Sequence, residues 1–237
     1  MDKWNRCGLF ITGTDTGVGK THISACLAHH LKRRGLVVRP RKPVESGCIR
    51  NDSTLIPADA TVLQAAAKSD EPLSIICPFR FESALSPERS AALANQNLTL
   101  GQVHAACLEG VATSDVLLVE GAGGFYSPLA AGELNADLAV ALALPVVLVA
   151  SDRLGAINQV LMAVEIIKRR NLPLAGVVLN RVSPHIDPQM DNLNELNRWL
   201  GESIISTTYS AYDENHPFWE KPQPELSLLL DRVIGSL

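Results

Sequence analysis

Nine consecutive residues, Gly13-Thr14-Asp15-Thr16-Gly17-Val18-Gly19-Lys20-Thr21, follow the apolar run Leu9-Phe10-Ile11 and carry the side-chain types that grip phosphate. Glycines let backbone N–H groups close around phosphate oxygens. A lysine brings charge to the outer oxygens, and a threonine hydroxyl reaches a magnesium ion. Strand, glycine-rich turn, Gly-Lys-Thr and then a helical pattern is the arrangement this chemistry needs. Gly-Val-Gly alone would mean little, because such turns are common. The usual loop has four residues between its first glycine and Gly-Lys; here Gly13 and Gly19 enclose five, and Thr14 stands in the place of the first glycine.

That longer loop points to a particular subgroup of phosphate-loop proteins. ATPases that sort plasmids or place division sites carry a second lysine five residues before the invariant one; this chain has Asp15 there, which argues against that subgroup. Three further residues could act beside the loop. Glu120 ends an apolar run and opens Glu120-Gly121-Ala122-Gly123-Gly124. An acid at the end of a buried strand next to a phosphate loop usually handles magnesium, directly or through water, and the glycines allow close backbone approach; the alternative is a turn that merely leaves the sheet with its acid solvated. Lys42, in Lys42-Pro43-Val44-Glu45-Ser46-Gly47, could stabilise charge on a transferring phosphoryl group. Read alone, with Arg39 and Arg41 nearby, a solvated strand end is the simpler account. Asp59 opens a helical pattern in Pro57-Ala58-Asp59-Ala60, and from the residues alone capping is the simpler account there too.

These residues need a frame, and the hydrophobic pattern supplies one. Apolar runs alternate with helical patterns, which predicts an α/β fold: a doubly wound, mostly parallel sheet with helices on both faces. Strands are expected at Gly8–Thr12, Leu36–Pro40, Asp115–Val119, Pro145–Ala150, Ala175–Leu179 and Ser203–Thr207. Helices are expected at Thr21–Arg34, Ala60–Ala67, Pro87–Ala94, Leu100–Thr113, Ala156–Arg170, Pro188–Leu200 and Pro224–Leu237. Pro72–Ala84 reads as loop with one short extended piece, and Tyr209–Gln223 as surface loop. Ligands gather at the carboxyl ends of such strands. Thr12–Thr16, Lys42–Gly47, Glu120–Gly124, Ser151–Asn158, Asn180-Arg181 and Thr207–Ser210 should therefore converge on one cleft.

Composition narrows the classes. The 237 residues suffice for one domain over 1–237 and leave no room for an appended catalytic domain. The net charge of −4, with no basic stripe and only 5 % aromatic residues, argues against a nucleic-acid partner. Five scattered cysteines without zinc spacing read as thiols of a reducing compartment, and Cys48 near the candidate site reads as packing. A polar start and no apolar stretch of membrane-spanning length, ~20 residues, predict a cytoplasmic protein with no membrane contact.

Thr12-Gly13-Thr14-Asp15-Thr16-x-Val18-Gly19-Lys20-Thr21, Lys42-Pro43-Val44-x-Ser46-Gly47, Val119-Glu120-Gly121-Ala122-Gly123-Gly124 and Leu154-Gly155-x-Ile157-Asn158, in that order and at these distances, resemble the dethiobiotin synthetase family. The resemblance runs from about Leu9 to Asn180. It implies an ATP- and magnesium-dependent ligase of biotin biosynthesis that acts on 7,8-diaminononanoate and CO2. An amine takes up CO2 as a carbamate, the carbamate attacks the γ-phosphate of ATP, and the second amine closes the cyclic urea of dethiobiotin as phosphate leaves.

Carried over onto this chain, the resemblance implies that Lys20 bridges the outer phosphates and the carbamate, while Lys42 neutralises the carbamate and the transition state. Thr16 touches the substrate side and Ser46 binds the diamine. Thr21, Asp59 and Glu120 hold magnesium. Gly17, Val18, Gly19, His22, Gly121, Ala122 and Gly123 border the nucleotide, with Asn180 reading adenine beside Arg181. The family completes its site across a homodimer, so Gly155, Ile157 and Asn158 would receive the remote carboxylate of a substrate bound to the partner, where helix-start N–H groups suit an anion. The chain departs from the family at Gly17, where some members have Glu, and at Glu88, where Ser-Pro-His is frequent. Arg181 replaces a frequent Asp, and Thr207-Thr208-Tyr209-Ser210 lacks the proline of the adenine segment, which points to different base contacts. Competing readings are a corrinoid-amidating ligase, for which the chain is too short, a small-molecule kinase and a nucleotide-switched scaffold.

Overall fold

Alternate residues of Leu9-Phe10-Ile11 pack into two different cores, and that alternation sets the architecture. Leu9 and Ile11 join Val116, Leu118, Val147, Val149 and Val178 on one side of a sheet. Phe10 joins Leu117, Val119, Val146, Leu148 and Val177 on the other. A strand buried on both faces needs helices over both. The computed structural model describes residues 7–185, 187–201, 204–207 and 217–234, without the side chains of 232–234.

The elements in chain order are β1 (Gly8–Gly13), α1 (Lys20–Arg33), β2 (Val38–Arg41), β3 (Val44–Ser46), β4 (Ile49–Asn51), β5 (Thr54–Ile56), α2 (Ala58–Ala67), α3 (Leu73–Ile76), β6 (Phe79–Phe81), α4 (Pro87–Leu93), α5 (Leu100–Leu108), β7 (Val116–Gly124), β8 (Pro128–Ala130), β9 (Glu133–Leu134), α6 (Asn135–Leu142), β10 (Val146–Ser151), α7 (Ala156–Arg169), β11 (Leu174–Asn180), α8 (Asn192–Leu200), β12 (Ile204–Ser206), a 3-10 turn Phe218–Glu220 and α9 (Pro224–Ile234). The six-stranded central sheet has the order β12-β11-β10-β1-β7-β2. All five of its pairings are parallel. Residues of α1, α2 and α9 cover one face; residues of α5, α6, α7 and α8 cover the other. This is the α/β architecture that the alternating runs predict.

The first strand of the chain lies in the middle, between β10 and β7. The register aligns Gly13 with Val149 and Gly124, Ser151 with Asn180, and Arg41 with Val119. Five strand ends therefore finish on one edge of the sheet.

Several boundaries differ from the sequence reading, each for a local reason. The helix expected over Leu100–Thr113 stops at Leu108, because Glu109 leaves the helical range with ψ 125°. The N–H of Ala112 then donates to the Asp115 carboxylate at 3.0 Å. The helix expected from Pro188 begins at Asn192, where the Asp191 side chain accepts from the Asn194 N–H. Pro72–Ala84 holds a one-turn helix as well as the extended piece β6, which pairs with β3. The hairpins β4–β5 and β8–β9 and helix α6 have no counterpart in the sequence reading. Expectations for residues 208–216 lie outside the described residues. No helix among those described is long and apolar enough to cross a membrane, and all five cysteines are free thiols.

Candidate active site

The phosphate loop is tied at its start to both neighbours of β1. The Thr14 N–H donates to the Val149 carbonyl at 2.9 Å, and the Phe125 N–H donates to the Gly13 carbonyl at 3.0 Å. Gly19, at φ 91°, is the N-cap of α1 and carries no side-chain cap. A Cβ there would lie 2.0 Å from Asn180 Nδ2, so only glycine fits both the backbone angle and the space. The first N–H groups of α1 thus remain available to an anion at the positive end of the helix. Lys20 is nearly buried, and its Nζ donates to the Asp15 carbonyl at 2.9 Å. Burial, followed by the charge of Lys42, pulls its ammonium pKa down to about 8.

Strand ends bring the other charged groups together. Lys42 follows β2, and its backbone N–H donates to the Ile76 carbonyl at 2.9 Å. Its Nζ lies 2.6 Å from Glu120 Oε1 and 2.9 Å from Asp59 Oδ2. Burial alone would lower the pKa of this ammonium, but Glu120 and Asp59 outweigh burial and raise it, so Lys42 is charged. Glu120, at 0 % exposure inside β7, also accepts from the Thr21 hydroxyl at 2.8 Å. Its Oε2 is buried with no hydrogen-bond partner. Burial would raise the pKa of Asp59, and Lys42 brings it below the usual carboxylate value.

Thr21, Asp59 and Glu120 therefore present hard oxygen donors around a shared point, with one buried carboxylate oxygen unsatisfied. That donor set fits magnesium. Among the described residues no group of three or more His, Cys, Asp or Glu could hold a metal alone, so phosphate oxygens and water would complete the coordination.

A cleft of about 630 Å³ opens over these groups. Its wall includes Thr16, Lys20, Lys42, Ser46, Asp59 and Glu120. Thus the loop, the Lys-Pro-Val-Glu-Ser-Gly segment, Asp59 and the Glu-Gly-Ala-Gly segment do converge. Gly17, Gly19, Thr21, Ala122 and Gly123 line it too. Val18 is buried beside the cleft, and Gly121 offers its carbonyl 3.5 Å from Lys42 Nζ.

The sequence reading overlooks two supports. Asn135, fully buried at the start of α6, accepts from the Ala122 N–H at 3.0 Å. It donates to the carbonyls of Ala122, Gly124 and Ser127 at 2.6, 3.3 and 3.2 Å. This side chain holds the Glu120–Gly124 segment in shape. Gly123, at φ 77°, sits where a Cβ would meet Ser127 Oγ at 2.6 Å. Glu45 is the second support: its carboxylate accepts from the N–H groups of Asp59 and Ala60. The capping that sequence assigns to Asp59 is therefore performed by Glu45, and Asp59 turns its carboxylate to Lys42. Nothing in the sequence marks a side-chain contact across that interval, apart from the lack of a capping side chain at Pro57.

Other singled-out residues lie elsewhere. Asn180 Nδ2 donates to the Val18 carbonyl at 3.0 Å, and its Oδ1 accepts from the Thr207 hydroxyl at 3.0 Å. It therefore braces the phosphate loop against the end of β12. Arg181 is half exposed, 3.6 Å from Asp152. His22 stacks on Phe218 with ring centroids 4.4 Å apart, and Gln223 Nε2 lies 3.3 Å from its Nε2. Gly155, Ile157 and Asn158 at the start of α7 are not part of the cleft wall; Gly155 and Asn158 are exposed. Ser86 and Pro87 line the cleft, but Glu88 turns to the Gly132 N–H at 2.8 Å. The Cys48 thiol donates to the Glu45 carbonyl at 3.4 Å, a packing role.

Residues 7–207 match the family described as AAA domain, AAA_26. The ATP-dependent dethiobiotin synthetase BioD of Anaeromyxobacter dehalogenans strain 2CP-C is 43 % identical over 183 residues, 77 % of this chain and 80 % of that protein. The protein of the same name from Anaeromyxobacter sp. strain Fw109-5 is 40 % identical over 200 residues, 84 % of this chain and 88 % of its own length. Among solved structures, a nucleotide-binding protein of Archaeoglobus fulgidus in complex with ADP covers 98 % of this chain and 88 % of its own, at 15 % identity and a TM-score of 0.47.

Proposed function

The chain belongs to the ATP-dependent dethiobiotin synthetases, ligases that work at the expense of ATP, and on that premise we propose that it closes the cyclic urea of dethiobiotin from 7,8-diaminononanoate and CO2. The supporting observation is the Lys42 ammonium held between Glu120 and Asp59 in the same cleft as Lys20. A phosphate loop alone would serve any nucleotide enzyme. A second buried cation from a neighbouring strand suits an anionic acceptor such as a carbamate.

The amine nitrogen bonds to CO2 and loses a proton, giving the carbamate. A carbamate oxygen attacks the γ-phosphorus and ADP leaves, giving a carbamic–phosphoric anhydride. The second amine then bonds to the carbamoyl carbon, a proton departs, and phosphate leaves with the oxygen that joined it to carbon. Lys20 and the N–H groups of Gly17–Thr21 bind the phosphate chain. Lys42 holds the carbamate against the γ-phosphate and offsets charge in transfer, so positioning and electrostatics carry most of the catalysis. Thr16 and Ser46 orient the diamine. Thr21, Asp59 and Glu120 would hold magnesium, which neutralises phosphate charge when bound. His22, Asn180 and Arg181 belong to the nucleotide side, with Asn180 fixing loop and base region together.

The reading extends to a homodimer. The Gly155–Asn158 helix start lies outside the cleft with Leu154 90 % exposed beside it, which suits a carboxylate site offered to a partner's substrate. Incubation with ATP, magnesium, bicarbonate and diaminononanoate tests the function. Dethiobiotin should appear by mass, and phosphate release should need both diamine and bicarbonate. A phosphorylated product, or equal ATP hydrolysis without diamine, would overturn it.

A further inference from the structure

Helix α2 delivers Asp59 to the cleft, yet it has no cap of its own. Its N-cap is Pro57, with extended angles (φ −84°, ψ 107°) and no side-chain hydrogen bond. The acceptors come from β3 instead. Glu45 Oε1 accepts from the Asp59 N–H at 3.0 Å and Oε2 from the Ala60 N–H at 3.1 Å. Glu45 is buried at 6 % exposure, in the segment that also carries Lys42 and Ser46. One carboxylate therefore fixes the backbone of Asp59, while the Asp59 carboxylate is fixed by Lys42 at 2.9 Å. A charged acceptor at a helix start is strongly held, because it meets both the free N–H groups and the positive end of the helix.

We propose that Glu45 is a positioning residue: it registers helix α2 on the Lys42 segment, and so sets where the Asp59 carboxylate stands relative to Glu120 and the bound cation. The inference deepens the assignment of Asp59 as a cation ligand and rests on it. Among the described residues, the Glu45 carboxylate takes its hydrogen bonds from these two backbone N–H groups, at the wall of the same cleft. Its loss frees the first turn of α2, and Asp59 then has to be ordered by the cation rather than before it arrives. Outer partners of this kind are worth roughly 10- to 100-fold in metal affinity.

The experiment is manganese binding to the protein saturated with a non-hydrolysable ATP analogue, read by electron paramagnetic resonance of free Mn2+. Glu45→Ala should weaken binding roughly 10-fold or more, and Glu45→Gln less, since an amide keeps one acceptor. Adding Pro57→Ser to Glu45→Ala places a neutral acceptor at the N-cap, within reach of the same N–H groups, and should restore most of the affinity. Asp59→Asn is the reference. If Asp59→Asn weakens manganese but Glu45→Ala and Glu45→Gln do not, the positioning role is wrong while the cation site stands. If Asp59→Asn changes nothing, the cation site and this inference fall together. If the Glu45 variants raise the KM for the diamine at unchanged manganese affinity, without rescue by Pro57→Ser, Glu45 contacts substrate and the inference is overturned. Should Glu45→Ala fail to fold by circular dichroism, Glu45→Gln decides: unchanged affinity contradicts the proposal.

Discussion

At the scale of single residues the proposed function gives the two lysines of the cleft separable jobs. Lys20 sits in the phosphate loop with its Nζ on the Asp15 carbonyl, while Lys42 comes from another strand and bridges Asp59 and Glu120. Lys42→Gln should leave ATP affinity nearly intact by calorimetry while ring closure falls about 100- to 1000-fold, the usual effect of removing one preorganised stabilising group. A variant that binds ATP much more weakly yet turns over normally at saturation would make Lys42 a nucleotide ligand instead. Lys20→Ala should lose both functions. Gly19→Ala should also lose nucleotide binding, because its Cβ collides with Asn180 and its backbone needs a positive φ. The phosphate loop and Glu120 were legible in the sequence because their chemistry is local: a run of glycines and an acid ending an apolar strand. The service of Glu45 to α2 was not, since it joins residues brought together only by folding.

At the scale of elements, the long buried strands declared themselves through apolar runs, whereas α6 did not. Apart from Asp137, Ala136 to Ala150 is almost continuously apolar across all but the first residue of α6 and all but the last residue of β10, so no helical period stands out from the strand that follows. Yet α6 carries both Asn135 and Asp137. Asn135→Ala would strand the buried Ala122 N–H and three carbonyl contacts. It should cost about 1–3 kcal/mol in urea unfolding, with a larger loss of activity than of stability, because the Glu120 segment loosens. Asp137 accepts from the Leu134 N–H at 2.8 Å and from Arg170 at 2.6 Å. Burial would raise its pKa, but these bonds outweigh burial and hold it below the ordinary value. Its stabilisation is therefore complete above the unfolded carboxylate pKa, about 4. It is lost as pH falls through the depressed folded value. Asp137→Asn should destabilise at pH 7 and converge on the parent protein in acid; a difference independent of pH would contradict this account.

At the scale of the whole molecule, the parallel sheet that gathers strand ends on one side was legible because a doubly wound sheet allows few other outcomes, but of the six segments expected in one cleft only the phosphate loop, the Lys42–Ser46 stretch and the Glu120–Gly123 stretch line it. Gly155 to Asn158 lie outside the cleft wall of one chain, and under the proposed function they would serve a partner's substrate. Lys42→Ala and Asn158→Ala proteins, each inactive, should recover part of the activity when mixed and allowed to exchange subunits. Failure to recover, with a monomer in sedimentation, would place the remote carboxylate on the same chain. The central claim is that a carbamate oxygen of the substrate is phosphorylated and then leaves as phosphate. Single-turnover reaction with 18O-labelled bicarbonate, ATP and diaminononanoate tests it most directly. The account predicts one 18O atom in the released phosphate and one in the urea carbonyl of dethiobiotin; unlabelled phosphate released at the same rate as the ring closes would contradict it.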